Sequence, residues 1–119
     1  MAKLATNAMI DGGLDKVDNC VSLTVCAGQP TSFADIAVKK LATVTIDGTD
    51  FTNADGDTSG RKLIIGTQID MSITATGTAD HVAIDDGTDY VITTATSQGL
   101  TSGGTVTTPA FDYEISDPA

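Results

Sequence analysis

The chain has 119 residues, with 16 acidic residues against 6 basic ones and a formal net charge of −10. This length supplies one domain with one hydrophobic core. The negative charge opposes any partner that presents a dense row of phosphates, so nucleic acid is disfavoured as a ligand. No apolar run is long enough to span a membrane, and the first residues lack the apolar core of a secretory signal.

Near the N-terminus, apolar residues recur at the helical period, at Ile10, Leu14, Val17 and Val21. This spacing predicts an amphipathic helix over residues 11–19, which Gly12 and Gly13 weaken. We therefore divide the chain into an N-terminal arm, residues 1–10, and a single β-rich domain, residues 11–119. Thr31 or Ser32 is placed to cap a second, short helix over residues 33–40.

The rest of the chain is rich in β-branched residues that alternate with polar ones between turn sequences. Two of the predicted strands, residues 80–84 and 89–94, flank Asp85-Asp86-Gly87-Thr88 and form a predicted hairpin, because Asp and Gly tolerate the positive φ of a tight turn. The most regular alternation joins Ile69, Met71 and Ile73 and predicts a half-buried strand. We predict loops at residues 50–60 and 97–99. Other strands are predicted at residues 21–25, 41–46, 62–65, 105–108 and 111–115.

These elements predict a mainly β fold, a compact β-sandwich or rolled antiparallel sheet with one N-terminal helix. A parallel α/β fold is disfavoured, because it needs crossover helices and the sequence shows no long helical period after residue 41.

Cys20 and Cys26 are the two cysteines of the chain, too few for a zinc site or a disulfide framework. We interpret both as small apolar core residues. A bridge between them requires the intervening segment to double back, and an extended strand there excludes it.

The polar stretch from residue 50 to residue 60 contains Asn53, Asp55 and Asp57 at the spacing of calcium ligands in an EF-hand loop. The remaining positions do not fit, since Thr58 stands at the glycine position and Ile64 at the position of the bidentate acid. We therefore predict a solvated turn without a metal.

Candidates for chemistry are few. His81 is the single histidine, and strand alternation places it on the wetter face with Ala83. An enzyme or small-ligand site would have to use His81 with Asp85. Arg61 and Lys62 follow Ser59-Gly60 and place two positive charges beside a glycine. They are either an anion-binding site or solvated side chains at the start of a strand. The sequence contains no nucleophile elbow, phosphate loop or dinucleotide fingerprint. We expect no catalytic, cofactor-binding or metal-binding residues and no enzymatic activity.

Several segments together are similar to small virion structural proteins of tailed bacteriophages, and the similarity extends over nearly the whole chain. They are Leu4 to Met9 with Asp11-Gly12, Val25 to Pro30, Phe51-Thr52 with Gly56 to Lys62, Ala75 to Ala83, and Pro109-Ala110-Phe111 with Glu114-Ile115 and Asp117-Pro118.

This resemblance implies a structural protein of the virion that assembles in many copies. The first hypothesis that it implies is a capsid decoration, or cement, protein, which is made in the host bacterial cytoplasm and lies on the outer capsid surface. Such a protein bridges subunits of the major capsid protein and contacts copies of itself as a homo-oligomer. The second reading is a tail, neck or fibre component whose loops, residues 47–60 and 98–104, meet a receptor or other tail proteins. Neither reading needs nucleic acid, a membrane, a cofactor or a small-molecule substrate.

Overall fold

A computed structural model describes residues 7–57 and 59–115, with side chains described from residue 11 onward. Helices α1 and α2 span Asn7–Asp18 and Phe33–Lys39, and a 3-10 turn covers Gly48–Asp50. The strands are β1 Ser22–Cys26, β2 Lys40–Thr45, β3 Phe51–Asp55, β4 Arg61–Ile65, β5 Gln68–Ser72, β6 Gly77–Asp85, β7 Tyr90–Leu100, β8 Thr105–Thr108 and β9 Phe111–Ile115.

The described strands form three antiparallel sheets. The largest has the order β2-β1-β6-β7, the second has the order β3-β4-β9, and β5 pairs with β8. The predicted mainly β, antiparallel fold is therefore confirmed. The molecule measures 54 × 26 × 25 Å along its principal axes.

The predicted hairpin is present as β6 and β7. Ala83 pairs with Ile92, and the turn closes with a hydrogen bond of 3.0 Å from the Asp86 N–H to the Asp89 carbonyl oxygen. Gly87 has φ +97°, the left-handed conformation that the turn sequence predicts. The predicted loop at residues 97–99 is wrong, because these residues continue β7 after a register irregularity opposite Asp80.

One hydrophobic core joins the three sheets and α1. Leu14 and Val17 of α1 meet Leu23 of β1 and Leu63 of β4 in it. A smaller cluster lies on the opposite face of the four-stranded sheet, where Cys26 of β1 and Ala83 of β6 pack against Ile36 of α2. The central strand β1 is consequently buried on both faces, and its polar residue Thr24 is satisfied by the Thr43 hydroxyl at 3.1 Å.

At the N-terminus the structure shifts the predicted helix boundary. α1 begins at Asn7, so residues 7–10, predicted as part of an arm, are helical. Burial of Leu14 and Val17 compensates for the unfavourable glycines of this helix. The predicted strand near the C-terminus is confirmed as β9, whereas residues 1–6 of the predicted arm lie outside the described residues.

The predicted loop at residues 50–60 is wrong in its first half, where β3 pairs with β4 from Phe51–Ile65 to Asp55–Arg61. Polar residues occupy β3 because its outer edge is exposed and Phe51 alone is buried in it. The β3–β4 turn requires glycine, since a Cβ at Gly56 would lie 2.1 Å from the Ser59 carbonyl oxygen.

The alternation predicted for residues 69–73 fails at its first position. Ile69 is 69% exposed, whereas Met71 and Ile73 are buried. Asp70 has φ +54°, and the register with β8 shifts between Gln68 and Met71. A residue in this left-handed conformation breaks the period-2 pattern, so the side chain before it leaves the core face.

Candidate functional site

A groove of about 420 Å³ lies between β7 and the segment that joins β8 to β9. Thr94 and Gln98 contribute to one wall, and Thr108, Pro109 and Phe111 to the other. His81 is the one titratable residue among the side chains that line it. The groove is therefore an apolar and hydroxyl-lined surface, suited to a neutral extended segment more than to a charged small molecule.

His81 lies on β6 opposite Cys26 of β1 and Thr94 of β7. Its Nδ1 is 2.8 Å from Asp80 Oδ1, and the same carboxylate oxygen accepts a 2.7 Å hydrogen bond from the Gly28 N–H. These two contacts, with the His81 bond the stronger cause, lower the pKa of Asp80. The Asp80 carboxylate thus ties the end of β1 to β6.

The expectation that His81 lies on a wet face is wrong. Its side chain is only 15% exposed, and Ala83 on the same face is fully buried, because α2 covers that side of the sheet through Ile36. In the described part of the chain, no hydroxyl or thiol hydrogen-bonds to the His81 ring. The arrangement orients an imidazole without giving it a nucleophile to activate.

Asp85, which the enzyme hypothesis pairs with His81, does not lie beside it. Asp85 lies four positions further along the extended strand, about 13 Å away at ~3.3 Å per residue. Asp85 Oδ1 instead accepts a 3.1 Å hydrogen bond from the Gly87 N–H at the hairpin turn. Burial raises the pKa of this carboxyl group. His81 therefore lies in the middle of β6 and Asp85 at its last residue.

The basic side chains proposed as an anion site are engaged within the fold. Arg61 Nε is 3.0 Å from Asp11 Oδ1 on α1, and Arg61 Nη1 is 2.8 Å from Asp55 Oδ1. Lys62 Nζ lies 2.7 Å from Asp57 Oδ1. Carboxylates on three sides thus neutralise this pair of cations, and the local charge no longer favours an anion.

Two of the three residues with the spacing of calcium ligands take part in these same ion pairs. Asn53 and Asp55 lie on β3, and Asp55 and Asp57 are ion-paired with Arg61 and Lys62. Within residues 7–57 and 59–115, no group of three His, Cys, Asp or Glu side chains is positioned to hold a metal ion.

Helix α1 is held at its other end by Lys16. Its Nζ is 2.7 Å from Asp86 Oδ2 and 3.2 Å from Asp89 Oδ2, both in the β6–β7 turn. The Lys16 hydrogen bond, followed by two backbone N–H groups of the turn, lowers the pKa of Asp86 to about 2. Two ion-paired sites thus connect one helix to two different sheets.

Both cysteines are free and buried, as the sequence predicts, and the extended strand β1 lies between them. Burial raises the pKa of each thiol to about 11. At neutral pH neither sulfur is therefore a ready nucleophile or metal ligand.

The feature that sequence reasoning missed is the length and position of β7. This strand has 11 residues, lies at the edge of the four-stranded sheet, and hydrogen-bonds to β6 alone among the described strands. Seven of its residues, Tyr90 and Thr94 to Gly99, are exposed. A signal was present in the sequence, because the run from residue 90 to residue 100 contains no charged residue and no proline.

Comparisons of the chain with protein-family models, curated proteins and solved structures found no significant match. Of the helices in the described residues, none has the length and hydropathy required to cross a membrane. The class that the structure itself defines is a mainly β, antiparallel protein with two described helices.

Proposed function

We propose that this chain is a non-enzymatic structural protein of a tailed-bacteriophage virion, acting as a capsid decoration protein that bridges subunits of the major capsid protein. The observation that carries the proposal is how the fold uses its charges. Four basic side chains, Lys16, Lys39, Arg61 and Lys62, are ion-paired with aspartates of the same chain. What remains toward solvent is strongly negative.

A surface of this kind suits the outside of a DNA-filled shell. Packaged DNA repels an acidic protein, so a position on the inner surface would be electrostatically costly, whereas the outer surface avoids the phosphates. The similarity of the sequence to small virion proteins supports the same assignment. A subunit with many weak contacts at a junction of capsid proteins gains avidity without a ligand pocket.

The internal ion pairs are consistent with a structural role. Helix α1 is linked through Asp11 to β4 and through Lys16 to the β6–β7 turn, so the three-stranded and four-stranded sheets are connected through one element. The geometry around His81, which offers no nucleophile in the described residues, is consistent with a function that does not depend on chemistry.

The direct test is the number of copies in purified particles of the phage that encodes the chain. Quantitative mass spectrometry should find the chain at a copy number of the same order as that of the major capsid protein. A small fraction of that number would favour a tail, neck or fibre component, and absence from the particle would refute both assignments.

Adding the protein back to capsids that lack it tests whether it stabilises the shell by bridging capsid subunits or is only present in the particle. Capsids stripped of the protein should lose resistance to heat or to low salt and regain it when the purified protein is added back. His81→Ala should restore the particles as well as the unaltered protein does. A variant lacking residues 1–6, which leaves α1 whole, tests whether the arm contributes to attachment; undiminished occupancy would exclude a role for it.

A further inference from the structure

The groove of about 420 Å³ between β7 and the β8–β9 segment is an uncharged region of a strongly acidic protein. None of the described residues that line it is Asp, Glu, Lys or Arg, although the chain has 16 acidic and 6 basic residues. Its one titratable side chain, His81, is held by the Asp80 carboxylate, which can only accept the hydrogen bond from Nδ1 when ionised. An ionic ligand finds no opposite charge in this lining, so the groove favours a neutral one.

The lining of the groove combines buried apolar residues with exposed polar ones. Leu100 and Val106 are buried, and Phe111 is half-buried. The side chains of Thr94 and Gln98 are exposed, and neither forms a hydrogen bond with another described residue. A ligand that matches this lining needs an apolar face and, on the same small molecule, hydroxyl groups that donate and accept hydrogen bonds.

Thr108 gives an independent indication of a ligand. It lines the groove and is only 6% exposed, and its Oγ1 is buried without a hydrogen-bond partner in the described part of the chain. The large majority of buried side-chain polar atoms in folded proteins have a partner, because a buried hydroxyl without one destabilises the fold. A molecule bound in the groove that carries hydroxyl groups supplies the partner that the fold does not.

We propose that this groove is a binding site for a neutral saccharide, whose C–H face packs on Phe111 and whose hydroxyl groups bond to Gln98 and Thr108. A sugar ring presents an apolar face and several hydroxyl groups at once, which is the combination that the lining offers. A purely aliphatic ligand leaves the polar side chains without new partners. The volume of about 420 Å³ lies within the range of small-ligand sites, roughly 300–1,000 Å³.

This inference does not depend on the proposed virion role and is tested on the purified full chain. Titration of the isotope-labelled protein with maltose, lactose and cellobiose should shift the NMR signals of amides in residues 94–98 and 107–111, with dissociation constants in the millimolar range. Sialyllactose should bind more weakly than lactose, because its carboxylate is repelled by a chain of charge −10.

The proposal is overturned if none of the three neutral disaccharides shifts these signals at tens of millimolar, if the shifts lie elsewhere on the protein, or if sialyllactose binds more tightly than lactose. A capped peptide of alternating Thr and Val is the comparison for an extended polypeptide ligand. Shifts of the same amides by this peptide, without shifts by the saccharides, would assign the groove to a peptide instead.

Two matched pairs of variants locate the site. Gln98→Ala should weaken binding of the tightest disaccharide about threefold or more, whereas Ser97→Ala, at an exposed neighbour on β7 outside the lining, should leave it unchanged. Thr108→Val removes the hydroxyl at nearly the same shape and should weaken binding roughly threefold to tenfold. Thr105→Val, at an exposed position of β8 outside the lining, is its control.

The urea midpoint of Thr108→Val distinguishes a ligand contact from a structural role. It should be unchanged or higher, because the substitution removes a buried hydroxyl that has no partner in the described chain. A lower midpoint would show that the hydroxyl is already satisfied within the fold and would contradict the proposal. Unchanged saccharide affinity in Gln98→Ala and Thr108→Val, or equal weakening in the controls, would contradict it as well.

Discussion

Arg61 Nε lies 3.0 Å from Asp11 Oδ1, joining the first turns of the N-terminal helix to the central strand of the three-stranded sheet across 50 positions of sequence. The guanidinium also contacts Asp55 at 2.8 Å, so one side chain connects α1, β3 and β4. Hydrogen bonds to these two carboxylates raise the pKa of Arg61 further above its usual range. The contact is the main polar link of α1 to this sheet.

Replacing Arg61 by Met should weaken the docking of α1. The substitution keeps an apolar stem and removes the charge, and we expect the free energy of unfolding to fall by more than it does in the control, because Asp11 and Asp55 lose their partner. Urea unfolding followed by circular dichroism measures it. Lys40→Met, at an exposed position where no ion pair with a described side chain forms, is the control and should stay within about 0.5 kcal/mol. Equal effects would show that Arg61 contributes no more than a surface cation.

The packing of β4 predicts a larger effect. Leu63 is 0% exposed in the core shared by the sheets and α1, so Leu63→Ala should lower the free energy of unfolding by about 2–5 kcal/mol through lost burial and a residual cavity. Val38 is 79% exposed on α2, and Val38→Ala should change it by less than about 0.5 kcal/mol. Similar urea midpoints for the two variants would refute the assignment of Leu63 to the core.

Stability should depend on acid through Asp86. Its pKa in the folded protein is about 2, below the ordinary value of about 4, so its contribution to stability is present above pH ~4 and is lost as the pH falls toward 2. Asp86→Asn keeps an oxygen acceptor for the turn and removes the charge, and should flatten the stability curve in this window. Lys16→Met should flatten it similarly, because Lys16 is the largest cause of the shift.

Urea unfolding at several pH values between 2 and 7 measures this dependence. Asp15→Asn changes an exposed carboxylate on the same helix and is the matched control. A curve for Asp86→Asn with the same slope as that of the unaltered protein would show that the Lys16 contact does not persist in solution.

The two thiols should be inert in the folded protein. Both are buried and have a raised pKa of about 11, so the thiolate that reacts with alkylating agents is scarce at pH 8 and shielded from solvent. Intact-mass spectrometry should find no iodoacetamide adduct under native conditions and two adducts after unfolding in guanidinium without a reductant. Native labelling of Cys26 would mean that the cover of α2 over β1 opens readily, and an absence of labelling after unfolding would indicate a disulfide.

Much of the fold was within reach of the sequence. Period-2 alternation predicted β9, and the Asp-Asp-Gly turn predicted the β6–β7 hairpin. Of the two residues predicted as possible caps of α2, Thr31 and Ser32, the structure uses Ser32, whose hydroxyl accepts a hydrogen bond from the Asp35 N–H at 3.2 Å. These features depend on neighbours in sequence, so local propensity was sufficient to predict them. The burial of both cysteines was predicted from sequence, and the condition set for excluding a bridge, an extended strand between them, is met by β1.

Other features depended on contacts between distant residues. Phe51–Asp55 forms a strand despite its polar composition because β4 supplies a partner and an exposed edge needs no apolar face. Ile69 leaves the core because Asp70 adopts φ +54° against β8, and His81 is sheltered because α2 lies over its face of the sheet. None of these outcomes can be computed from periodicity alone, since each requires knowing which element lies alongside.

The candidate sites divide in the same way. Amino-acid order alone determined that the protein is acidic, β-rich and poor in reactive side chains, and that residues 90–100 contain no charge. Tertiary structure decided that Arg61 and Lys62 are neutralised by aspartates, that His81 and Asp85 contact different partners along β6, and that the uncharged run is an open sheet edge. The physical reason is that composition and local pattern can be read from the order of residues, whereas long-range packing decides which group each charge contacts and which strand each strand pairs with.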